Sequence, residues 1–455
     1  MMRSLFSGVS GLKTHQTKMD VIGNNIANVN TVGYKSQSIT FQELLYQTTQ
    51  QASGPNAEAG TGGTNAKQIG LGVTTGAINT NIETAGASQT TGNPFDIRIT
   101  GDSFFIVNDG VTNYFTKAGA FYVDAAGNLA MTTTGYNVMG WQPDPTDPTV
   151  IKQDTVSALK ILSSENLTVP PTATTKATAS GIIDKNNTSL NSAAGAVYNL
   201  NFYDNLGYKY TAKFSIKPED TALGKYKISL NDVLDTKGKS IVPEGTDISE
   251  MVGFGTNGTA DLQYDAEKGD FISVNGADTC TLDFNENFVM PNGATLNNFQ
   301  NIEVDFTGTN TYDNNGTSTF GMASGDAKGN DAGKQMGNMI GVSVLTNGMI
   351  YGTYSNGDKK LLGQIAVASF TNASGLSKEG NNLYSETLNS GKFDGIGADV
   401  TSDSGSMSTG VLEMSNVDLS LEFTEMITTQ RGFQASSRII TTSDSLLEEL
   451  VNLKR

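Results

Sequence analysis

Apolar residues recur at steps of four and three along the last forty positions of the chain. From Leu419 the series runs through Phe423, Met426, Gln430, Phe433, Ser437, Ile440, Asp444, Leu447 and Val451, a heptad seam with polar interruptions. Ile427, Ile439, Leu446, Leu450 and Leu453 widen the apolar surface beyond a two-helix stripe, which predicts a helix that touches more than one neighbour. Ser415 and Asp418 supply its start signal, and Lys454 and Arg455 suit its negative end. The opening residues repeat the spacing at Leu5, Val9, Leu12, Gln16, Met19, Ile22, Ile26 and Val29, begun by Ser4 and closed by Asn30, Thr31, Val32 and Gly33. Gly8, Gly11 and Gly23 each cost about 1 kcal/mol against alanine inside a helix, which predicts close backbone approach there. Everything between the two ends reads as turns and strands. The two helices therefore have no helical core to join, and the expectation is that they find partners in other copies of the chain.

The interior begins with a short alternating segment at 39–46, then loses pattern over 48–67, where QASGPNAEAGTGGTNAK reads as a linker. Strands are predicted at 72–78, 95–99, 103–108, 112–116 and 137–141, with Asp109 and Gly110 as a hairpin turn. Pro143, Pro145 and Pro148 mark a boundary. A Thr-, Asn- and Gly-rich stretch of strands and turns follows over 150–337, and hairpin spacing resumes at 342–345, 350–354 and 361–370.

The start, SGVSGLKTHQTKMDVIGNNIANVNTVGYK, resembles the N-terminal signature of bacterial flagellar rod and hook proteins, matching at Asn25, Ile26, Ala27, Asn28, Asn30, Thr31, Gly33, Tyr34 and Lys35. The end is similar to that family's closing helix through Ser415, Asn416, Val417, Asp418 and Leu419, then Met426, Ile427, Gln430, Arg431, Phe433, Ala435, Ile440, Thr442, Asp444 and Leu447. The interior resembles hook proteins at 68–73, 91–94, 101–105, 135–141 and 370–384, with Ser103 and Ala120 departing from the usual glycine and asparagine. The resemblance implies a mainly β fold with long terminal α-helices. Residues 1–34 with 411–455 would form a coiled-coil inner domain, 35–67 a linker, 68–145 with 341–410 a discontinuous inner β domain, and 146–340 one or more inserted outer β domains.

Composition agrees with that picture. Glycine, 51 of 455 residues, is about 11% against a usual 7%, which suits many turns and short strands. A net charge of −17 argues against nucleic acid or an anionic membrane as partner. No apolar run is long enough to span a membrane, and the first residues, broken by Lys13, His15 and Lys18, carry no secretory signal pattern. The resemblance instead implies export through the flagellar type III apparatus, with which a single cysteine is compatible.

Candidate chemistry is sparse. Gly253, Gly255 and Gly258 satisfy G-x-G-x-x-G but precede a strand-like segment, so they read as a turn and not as a dinucleotide site. Asp283, Asn285 and Asn287 imitate the start of a calcium loop, but Phe288 and Ala294 stand where glycine and glutamate are required. His15 is the only histidine, which removes Ser-His-Asp and Cys-His catalysis and most zinc sites. Catalytic, metal and cofactor residues are all read as none. Some hook proteins, which this chain resembles, use a cysteine for a covalent lysine cross-link, which makes Cys280 a candidate; the alternative is a small buried residue in TCTLDF.

The resemblance thus implies a subunit of the flagellar hook, extracellular after export, polymerising through its terminal helices into a curved, flexible tube that transmits motor torque. Leu5, Val9, Leu12, Met19, Ile22, Asn25, Ile26, Ala27, Asn28, Asn30 and Gly33 would serve assembly at one end. Asn416, Val417, Asp418, Leu419, Phe423, Met426, Gln430, Phe433, Ile440 and Leu447 would serve it at the other. Partners would be many copies of the chain, the hook cap, the distal rod and hook-filament junction proteins and the export apparatus. A distal rod subunit is the nearest alternative, a surface adhesin or glycan-binding β protein a more distant one, and an enzyme the remotest.

Overall fold

The computed structural model describes residues 2–55, 60, 62–286, 289 and 295–453. Phe288 and Ala294 of the calcium-loop pattern, Asn287, part of the expected linker (56–59 and 61), and Lys454 and Arg455 lie outside the described residues. The structure is mainly β, with one long helix at each end, Met2–Ala27 and Leu419–Asn452. The chain divides into two compact units, one of 1–166, 341–352 and 359–455, the other of 167–340 and 353–358.

In the first unit the N-terminal helix gives way to turns over 28–33. The C-terminal helix begins where Asp418, in extended conformation, caps it by accepting from the Ser420 and Leu421 amides at 2.8 and 3.3 Å. Asp418 itself, and not Ser415, is therefore the cap. The β body of the unit centres on Phe104–Asn108, which pairs antiparallel with Asn113–Thr116, Asn137–Trp141 and Val367–Ala368. Its core holds Phe104, Ile106, Phe115, Trp141 and Tyr384, and the Trp141 indole N–H donates to the carbonyls of Asp154 and Ile396. Strand Ile97–Thr100 pairs with Ser406–Thr409, and Ser88–Thr90 with Val411–Glu413, so early and late parts of the chain interleave.

Two expected boundaries change. Residues 146–166, placed with the insertion by their prolines, belong to the first unit: Ser157–Ala158 pairs with Asn137–Trp141, Leu159 and Ile161 are buried, and Ile151 and Val156 pack on the Trp141 core. The 35–67 stretch is not a patternless linker throughout. Gln37–Glu43 pairs with Val73–Thr80, and Tyr46–Gln50 with Lys67–Gly70. Both ladders are largely exposed; the first coincides with the alternating segment at 39–46 and the strand expected at 72–78, and the second joins the two ends of the stretch where the pattern is lost.

The second unit is a sandwich of two five-stranded sheets. One runs Ala196–Tyr203, Lys209–Asp220, Lys225–Leu234, Thr259–Tyr264 and Phe271–Val274. The other runs Val252–Phe254, Thr279–Phe284, Ile302–Asn310, Lys176–Ile182 and Gly321–Ser324, with one parallel pair between 176–182 and 302–310. Alternate residues of both sheets meet in a common core, where Phe202 contacts Phe284 and Phe214 contacts Phe254 across the layers. Gly253 to Gly258 span a strand end and the turn that follows, as their spacing suggests.

Candidate assembly surface

The two terminal helices pack along one another, so they are partners within a single chain before any other copy is considered. Small residues let the two helices approach closely. A methyl group on Gly8 would lie 3.1 Å from Ile440 Cγ1 and 3.3 Å from the Ser436 carbonyl, and one on Gly11 would lie 2.9 Å from Ser436 Oγ. Gly432 faces the His15 ring at 2.6 Å in the same sense, while Gly23 has open space around it. The close approach expected at Gly8 and Gly11 is thus met by the chain's own C-terminal helix, and Gly23 takes no part. Thr14, Thr429 and Ser443 are buried in this contact-rich stripe, and Lys18 bridges Glu425 at 3.1 Å.

The inward stripe is not the apolar seam that the sequence marks out. Of the N-terminal series, Ile22 is buried, Leu5, Leu12, Met19 and Ile26 are half-buried, and Val9 and Ala27 are exposed, as is the neighbouring Phe6. Of the C-terminal series, Met426, Ile440 and Leu447 are half-buried, while Leu419, Phe423, Gln430 and Phe433 are exposed. Ile427 is 58% exposed, and Leu421, Ile439, Leu446, Leu450, Val451 and Leu453 are also exposed. A helix that buries Thr429 and Ser443 while leaving many of its large aliphatic and aromatic groups exposed carries apolar surface unpartnered among the described residues.

Most of the polar signature residues fasten the first unit together. Asn25, 1% exposed, uses all of its amide. Its Nδ2 donates to the Gln37 carbonyl and to Glu422 Oε1, both at 2.8 Å, and its Oδ1 accepts from the Gln37 amide at 2.9 Å and the Tyr34 hydroxyl at 3.2 Å. Asn28 donates to the Asn24 carbonyl and accepts from the Thr31 hydroxyl, closing the turn after the helix; Asn30 is exposed beside it. Gly33 has φ +70° and donates to the Glu413 carbonyl, and a side chain there would stand 2.7 Å from the Ala118 amide. Asn416 accepts from the Ser36 amide at 2.7 Å and donates to the Asn81 and Thr84 carbonyls, with Val417 half-buried next to it.

Beneath this junction lies a group that sequence reasoning did not single out as a pair. Lys35 and Glu413 are 2% and 3% exposed and meet at 2.8 Å. Lys35 also donates to the Thr84 carbonyl, and Glu413 accepts from the Gly86 amide. Lys117, 3% exposed, donates to the Gly101 carbonyl at 2.7 Å and stands 4.8 Å over the Phe104 ring. Burial, together with the Lys35 charge and against the pull of Glu413 and Asp102, brings its pKa down to about 8. Lys378 donates to the Lys35 carbonyl and stands 4.8 Å over the Tyr34 ring. The signal for this pair was Lys35 within the N-terminal signature and Glu413 just ahead of the C-terminal one, but their partnership spans 378 positions and no spacing reveals it.

The remaining candidates are quickly placed. His15 sits between the helices, edge-on to Phe41 at 5.5 Å, and burial followed by the Lys18 charge lowers its pKa. Cys280 is buried in strand Thr279–Phe284, and burial raises its thiol pKa. It packs there as a small apolar residue, and a covalent lysine link would require the strand to open. Among the described residues no group of His, Cys, Asp and Glu could hold a metal ion, and no helix is long and apolar enough to cross a membrane. A cleft of about 510 Å³ is lined in part by Glu379, Glu386 and Asp394, but each carboxylate already accepts from a neighbouring hydroxyl or amide.

Three family descriptions match the chain. "Flagella basal body rod protein" covers residues 5–35, "Flagellar hook protein FlgE/F/G D1 domain" covers 98–184, and "Flagellar basal body rod FlgEFG protein C-terminal" covers 408–453. The chain is 37% identical to the flagellar hook protein FlgE of Borreliella burgdorferi and 34% identical to that of Treponema pallidum, each over 100% of both chains. It is 30% identical to the flagellar basal-body rod protein FlgG of Bacillus subtilis, again over 100% of both. The crystal structure of Helicobacter pylori flagellar hook protein FlgE2 aligns with 72% of this chain and 100% of its own at 14% identity and a TM-score of 0.42.

Proposed function

The chain belongs to the family of flagellar hook proteins, and from that premise we propose how its two ends build a polymer. It is a structural subunit of the bacterial flagellar hook, situated in the hook of the basal body and serving motility. Copies add at the growing tip. The exposed apolar residues Phe423, Ile427, Phe433, Ile439 and Leu446, spread over more than one side of the helix, pack on the terminal helices of neighbouring copies in coiled-coil fashion and complete an inner tube. The β units form the layers outside it, and their polar contacts slide so that a bent tube can turn and pass torque on. The hook cap, the distal rod and junction proteins and the type III export apparatus are its further partners.

One observation supports this above all: within the chain the C-terminal helix hides threonine, glycine and serine and leaves its largest apolar residues outside. Replacing Phe423 and Ile427 together by serine should abolish polymers of purified protein, read by sedimentation and electron microscopy, and leave the melting of the β units unchanged. Polymers of normal length from that variant would overturn the proposal.

The full-length similarity to a rod protein keeps one other reading open, a distal rod subunit. Cells lacking the gene separate the two: basal bodies with finished rods and no hooks support the hook, and unfinished rods support the rod.

A further inference from the structure

The sandwich unit carries opposite charge on its two outer faces. On the first sheet Ala212, Phe214 and Ile216 point into the core, so the alternate residues Lys209, Lys213 and Lys217 stand outside. The next strand continues the patch with Lys225 and Lys227, and Lys217 lies directly opposite Lys227 in the register. Glu219 and Asp261 share this face and hold Lys227 at 3.5 and 3.7 Å, and Asp232 lies opposite Lys213. Lys209, Lys213, Lys217 and Lys225 form no ion pair among the described residues.

On the second sheet Leu282, Phe284, Ile302 and Val304 point inward, and Asp283, Glu303 and Asp305 stand outside among Thr178, Thr279 and Thr281. Lys176, on the same face, is drawn to Asp331 at 3.5 Å. Because the two sheets share one core, these faces look in opposite directions and cannot meet within a chain. Between copies they can. In a chain of net charge −17 copies repel on average, and a patch of unpaired lysines seated on a neighbour's carboxylates offsets that repulsion where it matters for docking.

We propose that the sandwich unit docks head to tail on the same unit of a neighbouring copy, the Lys209–Lys213–Lys217 face of one meeting the Asp283–Glu303–Asp305 face of the next. The contact is heterologous, so each copy presents both a donor and an acceptor face and the contact can repeat from copy to copy along a row of subunits. It rests on the reading of the chain as a polymer subunit and adds to it a second interface, independent of the helices. Solvated ion pairs of this type contribute little each and exchange partners readily, which fits a layer that must shear as the tube turns.

Carbodiimide, which joins amines to carboxylates only in direct contact, tests this on polymers of the full chain assembled from mixed ¹⁵N-labelled and unlabelled copies. The expected product is a mixed-isotope peptide pair linking Lys213 or Lys217 to Glu303 or Asp305, weakening as salt is raised before linking. Lys213→Glu with Lys217→Glu should lose the pair while polymers still form. Adding Glu303→Lys and Asp305→Lys should bring back a link with the partners exchanged. Polymers in which these lysines stay unlinked, or link elsewhere, overturn the inference and leave the hook reading intact. A wild-type chain that does not polymerise at all removes both.

Discussion

Asn25 shows how much one side chain can settle. Its amide joins the end of the first helix to the start of the Gln37–Glu43 strand and to Glu422 of the last helix. Asn25→Leu keeps the volume and strands several buried groups, and the expected cost is about 3 kcal/mol in chemical denaturation of the first unit. Lys35→Met leaves the Glu413 carboxylate buried without its cation, for which about 3–5 kcal/mol is expected, and adding Glu413→Gln should recover much of it. Lys117 gives a pH signature. Its folded pKa, about 8, lies below the ordinary lysine value, so the folded chain releases this proton first. Between about pH 8 and 10.4 the unfolded state binds more protons, and stability rises with pH across that window. Lys117→Met should flatten that rise in a series of melts. At this scale the sequence marked Asn25, Gly33, Asn416 and Asp418 through their signatures. The capping role of Asp418 is local and was legible, whereas the joining roles of Asn25, Gly33 and Asn416 were hidden, because partners more than three hundred positions apart leave no local pattern.

For the helices, the period was legible and the facing was not. Steps of four and three locate Met2–Ala27 and Leu419–Asn452 closely. A hydrophobic pattern, however, weights leucine and phenylalanine, whereas the closest approaches of the two helices fall at Gly8, Gly11, Gly432 and Ser436, which such a pattern treats as gaps. Gly432→Val tests the seam: its side chain would run into the His15 ring, and the helices should separate, lowering the first unit's melting temperature while the sandwich unit is unaffected. Of the exposed ladders of 37–80, the alternation at 39–46 and the strand at 72–78 were legible, whereas the pairing of Tyr46–Gln50 with Lys67–Gly70 across the stretch read as a linker left no local pattern.

In the molecule as a whole, the second unit was readable as an inserted body of strands, but its starting point was not. Prolines at 143–148 suggested an edge that the packing of Leu159 and Ile161 moves to 166. Removing both terminal helices should therefore leave a sandwich unit with its own melting transition and no capacity to form tubes, a result that calorimetry and negative-stain microscopy would show together.

The buried Lys35–Glu413 pair also sets a clock. Its acidic half is made some 378 residues after its basic half, so an emerging polypeptide, however much of it has already appeared, holds an unanswered cation until almost the final tenth arrives. Synthesis thus proceeds with the latch open until Glu413 has been made, and closure reports that nearly all of the thread is in hand.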